Sequence, residues 1–280
     1  MSRHCSWLAL ALAMISLAGE AAAAEDSLLL ATTTSVRDSG LLDELLPEFQ
    51  ERSGFRVRVV AVGTGAALRM GAEGNADLLL THAPASEAKL VASGAVTGRR
   101  PFMENYFVLA GPADDPAGVR EAETPEAALQ RIAALPAAFV SRADDSGTHK
   151  REVALLRAAG LSQTGDWEGF AKTGTSMGLT LQVAGERDAY VLSDIGTFLA
   201  FRERIGLVLL SAPSDSLRNV YSLLPVNPER FPRVNARAAR AFEEFLLEAA
   251  TLERIADFGR ARFGRPLFVP LRPAVVETRD

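Results

Sequence analysis

The chain has 280 residues, 30 Lys and Arg against 35 Asp and Glu, and a net charge of −5. No run of like charges stands out, which argues against a basic footprint for nucleic acid or for an anionic membrane surface. The single cysteine, Cys5, lies in a segment expected to be removed, so disulfides and thiol chemistry are excluded from the exported chain.

The first 24 residues carry Arg3 and His4, an apolar stretch from Trp7 to Leu17, and small residues with an Ala-x-Ala signal at Ala22 and Ala24. That is the layout of a secretory signal peptide. The stretch is shorter than the roughly 20 residues that span a bilayer, and nothing later is long and apolar enough to do so. The mature chain is expected to begin near Glu25 and to be soluble and extracytoplasmic, in a periplasm where there is one. Cys5 precedes the apolar stretch, which argues against a lipid anchor. Removal takes away Arg3 and Glu20, one charge of each sign, so the net charge stays at −5. About 256 residues remain, enough for one large domain or two modest ones.

From there short apolar runs alternate with helical periodicity, the pattern of an α/β protein. "SLLLA" (27–31) reads as a buried strand. Leu41, Leu42, Leu45, Leu46 and Phe49 recur at helical spacing, with Pro47 expected to kink or shorten the helix. "FRVRVVAVG" (55–63) alternates as a strand, "AALRMGAEG" is helical, and "ADLLLTHAP" (76–84) and "NYFVLAGP" (105–112) are strands. After a looser stretch, Thr124-Pro125 opens a helix with a favourable cap and a proline in the first turn. "AAFVS", "DAYVLS", "GLVLLS" and "NVYSLLPVNP" (219–228) are further strands, and the amphipathic pattern from Asn235 to Phe258 predicts the longest helix. No internal repeat appears.

Three junctions share one composition: "ATTTSVRDSG" (31–40), "VGTGAAL" (62–68) and "SRADDSGT" (141–148). Each puts hydroxyls or glycines between a strand and a helix, where free N–H groups and the positive helix end point outward and form an anion site. Ser, Thr, Asp and Gly are also ordinary helix caps, so one such junction is weak evidence of a ligand. Three in one α/β chain weigh more, because ligands of open parallel sheets bind at the C-terminal ends of strands. Arg142 adds a planar, permanently charged donor suited to an oxyanion, though a salt bridge to Asp144 or Asp145 is also within reach. His82 and His149 have no cysteine or carboxylate at metal-ligand spacing and read as a satisfied histidine near a strand end and one on a helix. Ser146-Gly147 lacks a nucleophile-elbow frame, and "GTG" (63–65) lacks the Gly-Lys-Ser/Thr ending of a Walker loop.

Taken together and in order, "ATTTSVRDSGLLDELLPEF", "VVAVGTGAALRMGAEGNADLLLTHAP", "FVSRADDSGTHKRE" and "MGLTLQVAGERDAYVLSD" make the chain resemble the tungstate-binding proteins of ABC importers, the TupA type, over nearly all of its mature length. The resemblance implies the α/β type II periplasmic-binding-protein fold, with two lobes, a mostly parallel central sheet in each, and a ligand cleft between them. It implies a discontinuous first lobe (25–108 and 219–280) around a second (109–218). The ligand groups it implies are the hydroxyls of Thr32 to Ser35, with Thr33, Thr34 and Ser35 foremost, then Thr64 and Gly65, and Arg142 with Ser146, Gly147 and Thr148. The ligand implied is tungstate or molybdate, with no cofactor and no metal cation expected. The partner is a membrane permease with a separate ATPase subunit, the receptor is a monomer, and no enzymatic activity is implied. Two departures from the family pattern stand at "GTSMG" (174–178) and at Ile195, where relatives commonly carry an arginine.

Tungstate and molybdate are fully deprotonated dianions at neutral pH and can only accept hydrogen bonds, so their site must present donors alone. A hydrogen phosphate ion carries a proton and favours an inward carboxylate. Asp144 and Asp145 therefore discriminate: facing away and bracing Arg142 or capping the helix they fit tungstate, whereas reaching the anion they fit phosphate. Molybdate, sulfate and phosphate receptors of the same fold are the alternatives. An exported ester hydrolase using Ser146 with His149 is a more distant one, and a sensor domain of a regulator is disfavoured by the expected export.

Overall fold

A computed structural model describes residues 26–136 and 138–271; the expected signal segment lies outside the described residues. Strand β1 (Ser27–Thr33) leads into a short helix α1 (Thr34–Ser39) and, past Gly40, into α2 (Leu41–Ser53). Gly40 sits at φ 82, a left-handed turn that separates the two helices. There follow β2 (Arg56–Val62), α3 (Thr64–Ala72), β3 (Leu78–Thr81), α4 (Pro84–Ala92) and the long β4 (Arg100–Gly111). The second half holds α5 (Pro125–Ala134), β5 (Phe139–Ser141), α6 (Gly147–Ala158), β6 (Phe170–Lys172), α7 (Met177–Glu186), β7 (Tyr190–Asp194), α8 (Ile195–Ile205) and the two-residue β8 (Val208–Leu209). The chain closes with β9 (Arg218–Pro225), α9 (Ala236–Leu247), α10 (Ala249–Asp257), α11 (Arg260–Phe263) and β10 (Val269–Pro270).

The strands order as β2-β1-β3-β9-β4-β7-β5-β6, with β8 and β10 also on β4. Two parallel groups, β2-β1-β3 and β7-β5-β6, are joined through antiparallel β9 and β4. Residues 100–106 of β4 pair with β9, and residues 107–110 of the same strand pair with β7. One strand thus carries the sheet of each lobe, and β4 with β9 forms the double crossover between them.

Helical stripes close the core. Leu41, Leu42, Leu45 and Phe49 of α2 meet Phe242 and Phe245 of α9, with Phe49 and Phe242 edge-to-face at 4.8 Å. A separate cluster of Leu129, Ile132, Leu155, Phe139 and Tyr190 fills one face of the second sheet.

Two helix expectations change. Pro47 does not shorten α2, which runs on to Ser53. Proline removes the bond to the carbonyl of Asp43, and both residues are exposed, so the freed carbonyl is open to solvent while the apolar stripe continues. The pattern from Asn235 to Phe258 is two helices, because Glu248 is extended (ψ 142) between them. Its carboxylate is held by a two-pronged contact from Arg52 at 2.8 and 2.9 Å. Both pieces bury apolar residues, so periodicity does not register the one-residue break, and α2 is the longest described helix. Strand β4 also starts earlier than expected, at Arg100, where it pairs with β9 and buries Phe102 and Met103 in the core.

Candidate anion site

The three junctions fall at the C-terminal ends of β1, β2 and β5, each opening a helix. Thr32 is the exception among the first-strand hydroxyls: it is buried and donates to the Leu80 carbonyl at 2.8 Å, stitching β1 to β3. Thr33 occupies the N-cap of α1 but makes no cap bond; its Oγ1 lies 3.0 Å from Ser35 Oγ. Ser35 Oγ in turn lies 3.3 Å from Nε2 of His82, at the end of β3. The hydroxyls of Thr34, of Thr64 at the first position of α3, and of Thr148 in α6 have no protein partner among the described residues.

The Arg142 loop is built differently. Arg142 is buried, and its Nε faces Asp144 Oδ2 at 2.9 Å and the Thr175 carbonyl at 3.2 Å. Its two Nη groups make no hydrogen bond to the protein among the described residues. The other Asp144 oxygen accepts the Ser146 N–H at 3.1 Å, so both oxygens are engaged within the loop. Asp145 turns outward to Lys150 at 3.0 Å. Ala143 and Asp145 take left-handed backbone (φ 48 and 58), an uncommon conformation for non-glycine residues that bends the loop around Arg142. Ser146 caps α6 by accepting the His149 N–H at 3.3 Å, while Gly147 and Thr148 keep open N–H groups at the helix end. Beneath the loop, Glu152 accepts a short hydrogen bond from Ser141 and leaves its second oxygen buried without a partner. Burial pushes its carboxyl up to about 7.

A cavity of about 540 Å³ joins the two walls. Thr34, Ser35 and Gly63 line it on one side, and Arg142 and Asp144 on the other. Gly147 packs against His82 nearby: a β-carbon there would lie 2.5 Å from the ring, so glycine lets α6 reach the opposite wall. A β-carbon at Gly65 would lie 3.5 Å from Asp145 Oδ2, so the carboxylate that pairs with Lys150 also comes near the first wall. Of the expected ligand groups, Thr33, Thr64, Gly65, Ser146, Gly147 and Thr148 do not line this cavity, and Thr33, Thr64, Ser146 and Thr148 are buried.

Residues 174–178, the "GTSMG" departure, line the same cavity and were not among the expected ligand groups. Ser176 is the N-cap of α7 and makes no cap bond, so its hydroxyl and the first N–H groups of α7 are open. Its signal was legible, a serine between a strand and a helix as at the other junctions. At the cavity, α1, α3 and α7 start without a side-chain cap, whereas α8, whose first-turn Thr197 also lines it, is capped by Asp194, and α6 is capped by Ser146. Ile195, the second departure, is buried in the main core and lies outside the lining.

A two-lobed α/β fold with a donor-lined cleft defines a solute-binding protein, and the model of the PBP superfamily domain matches residues 18–250. The chain is 44 % identical to the tungstate-binding protein TupA of Peptoclostridium acidaminophilum, over 88 % of this chain and 86 % of that one. Among solved structures it is similar to the tungstate-binding protein TupA from Desulfovibrio alaskensis, with TM-score 0.79, 41 % identity and coverage of 88 % and 98 %. It is also similar to the tungstate ABC transporter structure from Geobacter sulfurreducens, with TM-score 0.75, 40 % identity and coverage of 84 % and 99 %. The chain belongs to the TupA family.

Proposed function

We propose that this protein is the extracytoplasmic receptor of an ABC importer, binding tungstate between its lobes and delivering it to a membrane permease driven by a separate ATPase subunit. The observation that carries the reading is the engagement of both Asp144 oxygens by Arg142 and the Ser146 N–H, which braces the guanidinium and leaves its Nη groups to the anion. With Thr33, Thr34, Ser35, Thr64, Arg142 and the N–H groups at Gly65, Gly147 and Thr148, the site offers donors to a group that can only accept. Ser146 serves as cap and loop anchor. The tungstate relatives support the choice of anion, and molybdate shares the same donor requirement.

In this reading the lobes divide at 108/109 and 218/219, the β4–β9 crossover is the hinge, and closure brings α6 against the first lobe. The receptor acts as a monomer and needs no cofactor. Among the described residues no helix is long and apolar enough to cross a membrane. The Ser146–His149 pair fits a helix cap and not a hydrolytic pair: the backbone N–H of His149 donates to Ser146 Oγ, and the ring Nδ1 accepts the Asp145 N–H at 3.0 Å.

Calorimetric titration of the anion-free protein with tungstate, molybdate, sulfate and phosphate tests the reading. Tight one-to-one binding of tungstate, weaker molybdate and no response to the other two is expected. Silence toward all four contradicts an oxyanion receptor, and preference for phosphate contradicts the donor-only site.

A further inference from the structure

We infer that His82 is a positioning residue of the anion site, and that binding of a tungstate dianion is coupled to uptake of one proton on its imidazole. The inference rests on the reading above and adds a residue that no strand-to-helix motif pointed to.

The hydrogen bonds set the direction of every proton. Asn219 of β9 donates through its amide nitrogen to Asn105 Oδ1 at 2.8 Å and to the Tyr221 hydroxyl at 2.9 Å. Its oxygen is left to accept from His82 Nδ1 at 2.8 Å. A neutral ring with hydrogen on Nδ1 has a lone pair at Nε2, so Ser35 donates there, and Thr33 donates to Ser35. Both hydroxyl protons then run along this chain, away from an anion. With Nε2 protonated, the ring donates to Ser35 Oγ, and the Ser35 hydrogen is released toward the cavity that Ser35 lines.

Charge points the same way. Of the charged groups lining the cavity, Arg142 is paired with Asp144 and Arg37 with Asp38, so the lining is balanced before two negative charges arrive. A protonated His82 supplies one compensating charge. The groups facing the ring are few. Glu87 of α4 is already bonded to Thr81, Ala83 N–H and Arg99. Asp194 accepts from the N–H and hydroxyl of Thr197. Tyr221 stacks at 4.9 Å, and Ser35 and Asn219 hold the two ring nitrogens. Arg142 also acts on the ring, Gly147 at the α6 N-terminus touches it, and Lys150 and Arg151 share a smaller cavity with it.

Burial holds the empty-site His82 below the ordinary histidine range, so it is neutral near pH 7. A dianion against Ser35 favours the charged ring and raises it. The proton is therefore taken up on binding, and the affinity contribution is full at low pH and lost as pH rises through the bound-state value. Between the two values tungstate affinity falls about tenfold per pH unit. Tungsten stays enclosed in its own oxygens, so none of these residues ligates a metal.

The test is tungstate titration calorimetry at pH 7.5 in buffers of different ionisation enthalpy, where the slope of heat against that enthalpy counts protons. A slope near one proton per tungstate in the wild type is expected, retained in His149→Gln and abolished in His82→Gln, with the pH dependence of affinity flattened in the latter. Nitrogen-15 imidazole spectra of the wild type read the same event if His82→Gln does not fold: the His82 signals should move from neutral to protonated on adding tungstate. Tight tungstate binding with no buffer dependence, uptake that persists in His82→Gln, or a ring that stays neutral overturns this inference alone. No tungstate binding at all overturns the reading beneath it as well.

Discussion

The two walls of the cleft meet one requirement by different means. The first-lobe wall, at the ends of β1, β2 and β3, is made of hydroxyls and helix ends, its charged lining groups Arg37 and Asp38 are paired with each other, and its backbone is relaxed. The second-lobe wall holds the buried guanidinium. There two non-glycine residues stand in left-handed conformation, one carboxylate braces the arginine, and a second, Glu152, is buried beneath with one oxygen unpartnered. The difference teaches where strain belongs in such a site. Neutral donors come from the fold at little cost, because strand ends and helix starts supply them. A buried positive charge needs a counter-charge and a bent loop to present it.

The comparison breaks most visibly at Arg142. Arg142→Ala removes the charge that the second wall is built around, and calorimetry should show tungstate affinity falling by about 3–5 kcal/mol, more than roughly 100-fold. Arg142→Lys should recover only part of it, since the fork of donors is lost. An unchanged affinity would place the anion elsewhere.

The strain of the second wall should show in stability next. Unfolded, the Glu152 carboxyl ionises at its ordinary 4.5, and folded it does so at about 7. Its contribution is fully present below the unfolded value and lost as pH rises through the folded one, a difference on the order of 3 kcal/mol. Urea unfolding at pH 5 and pH 8 should show Glu152→Gln flattening that loss and exceeding the wild type at pH 8. A parallel pH response in both proteins would contradict it.

Contact between the walls is sharpened at Gly147, where Gly147→Ala meets the His82 ring. Tungstate binding should weaken by about tenfold or more with little change in unfolding midpoint, because the clash is with the opposite wall. Smaller effects separate open from spent donors. Ser176→Ala should cost about 1 kcal/mol of tungstate affinity. Thr124→Ala should cost about 1 kcal/mol of stability, with binding unchanged, since Thr124 caps α5 and α5 does not line the cavity.

Much of this was legible in the chain. The alternation of apolar runs and helical stripes carried the α/β class, and the three junctions mark strand ends because hydroxyls and glycines gather where a strand turns into a helix. Arg142 stood out by its chemistry, and the choice of Asp144 over Asp145 as its brace did not follow, since they lie only two and three residues away. Residues 174–178 stood out as a departure from the family pattern, but Ser176 was not counted as a donor because it reads as an ordinary cap until its cap bond is found missing. His82 escaped because its partners, Asn219 and Ser35, are 137 and 47 residues away and meet only through β3–β9 pairing and the end of β1. The break at Glu248 is a tertiary effect of Arg52 on another helix.

The central claim is that a dianion sits between a hydroxyl wall and Arg142 with donors alone around it. A crystal structure with tungstate, using anomalous scattering from tungsten, tests it most directly. The account predicts the tungsten peak in the cavity between Thr34 and Arg142, with hydroxyl, N–H and guanidinium donors at hydrogen-bond distance from its oxygens and Asp144 still turned to Arg142. A peak outside that cavity, or an anion oxygen within hydrogen-bond distance of the Asp144 carboxylate, would contradict it.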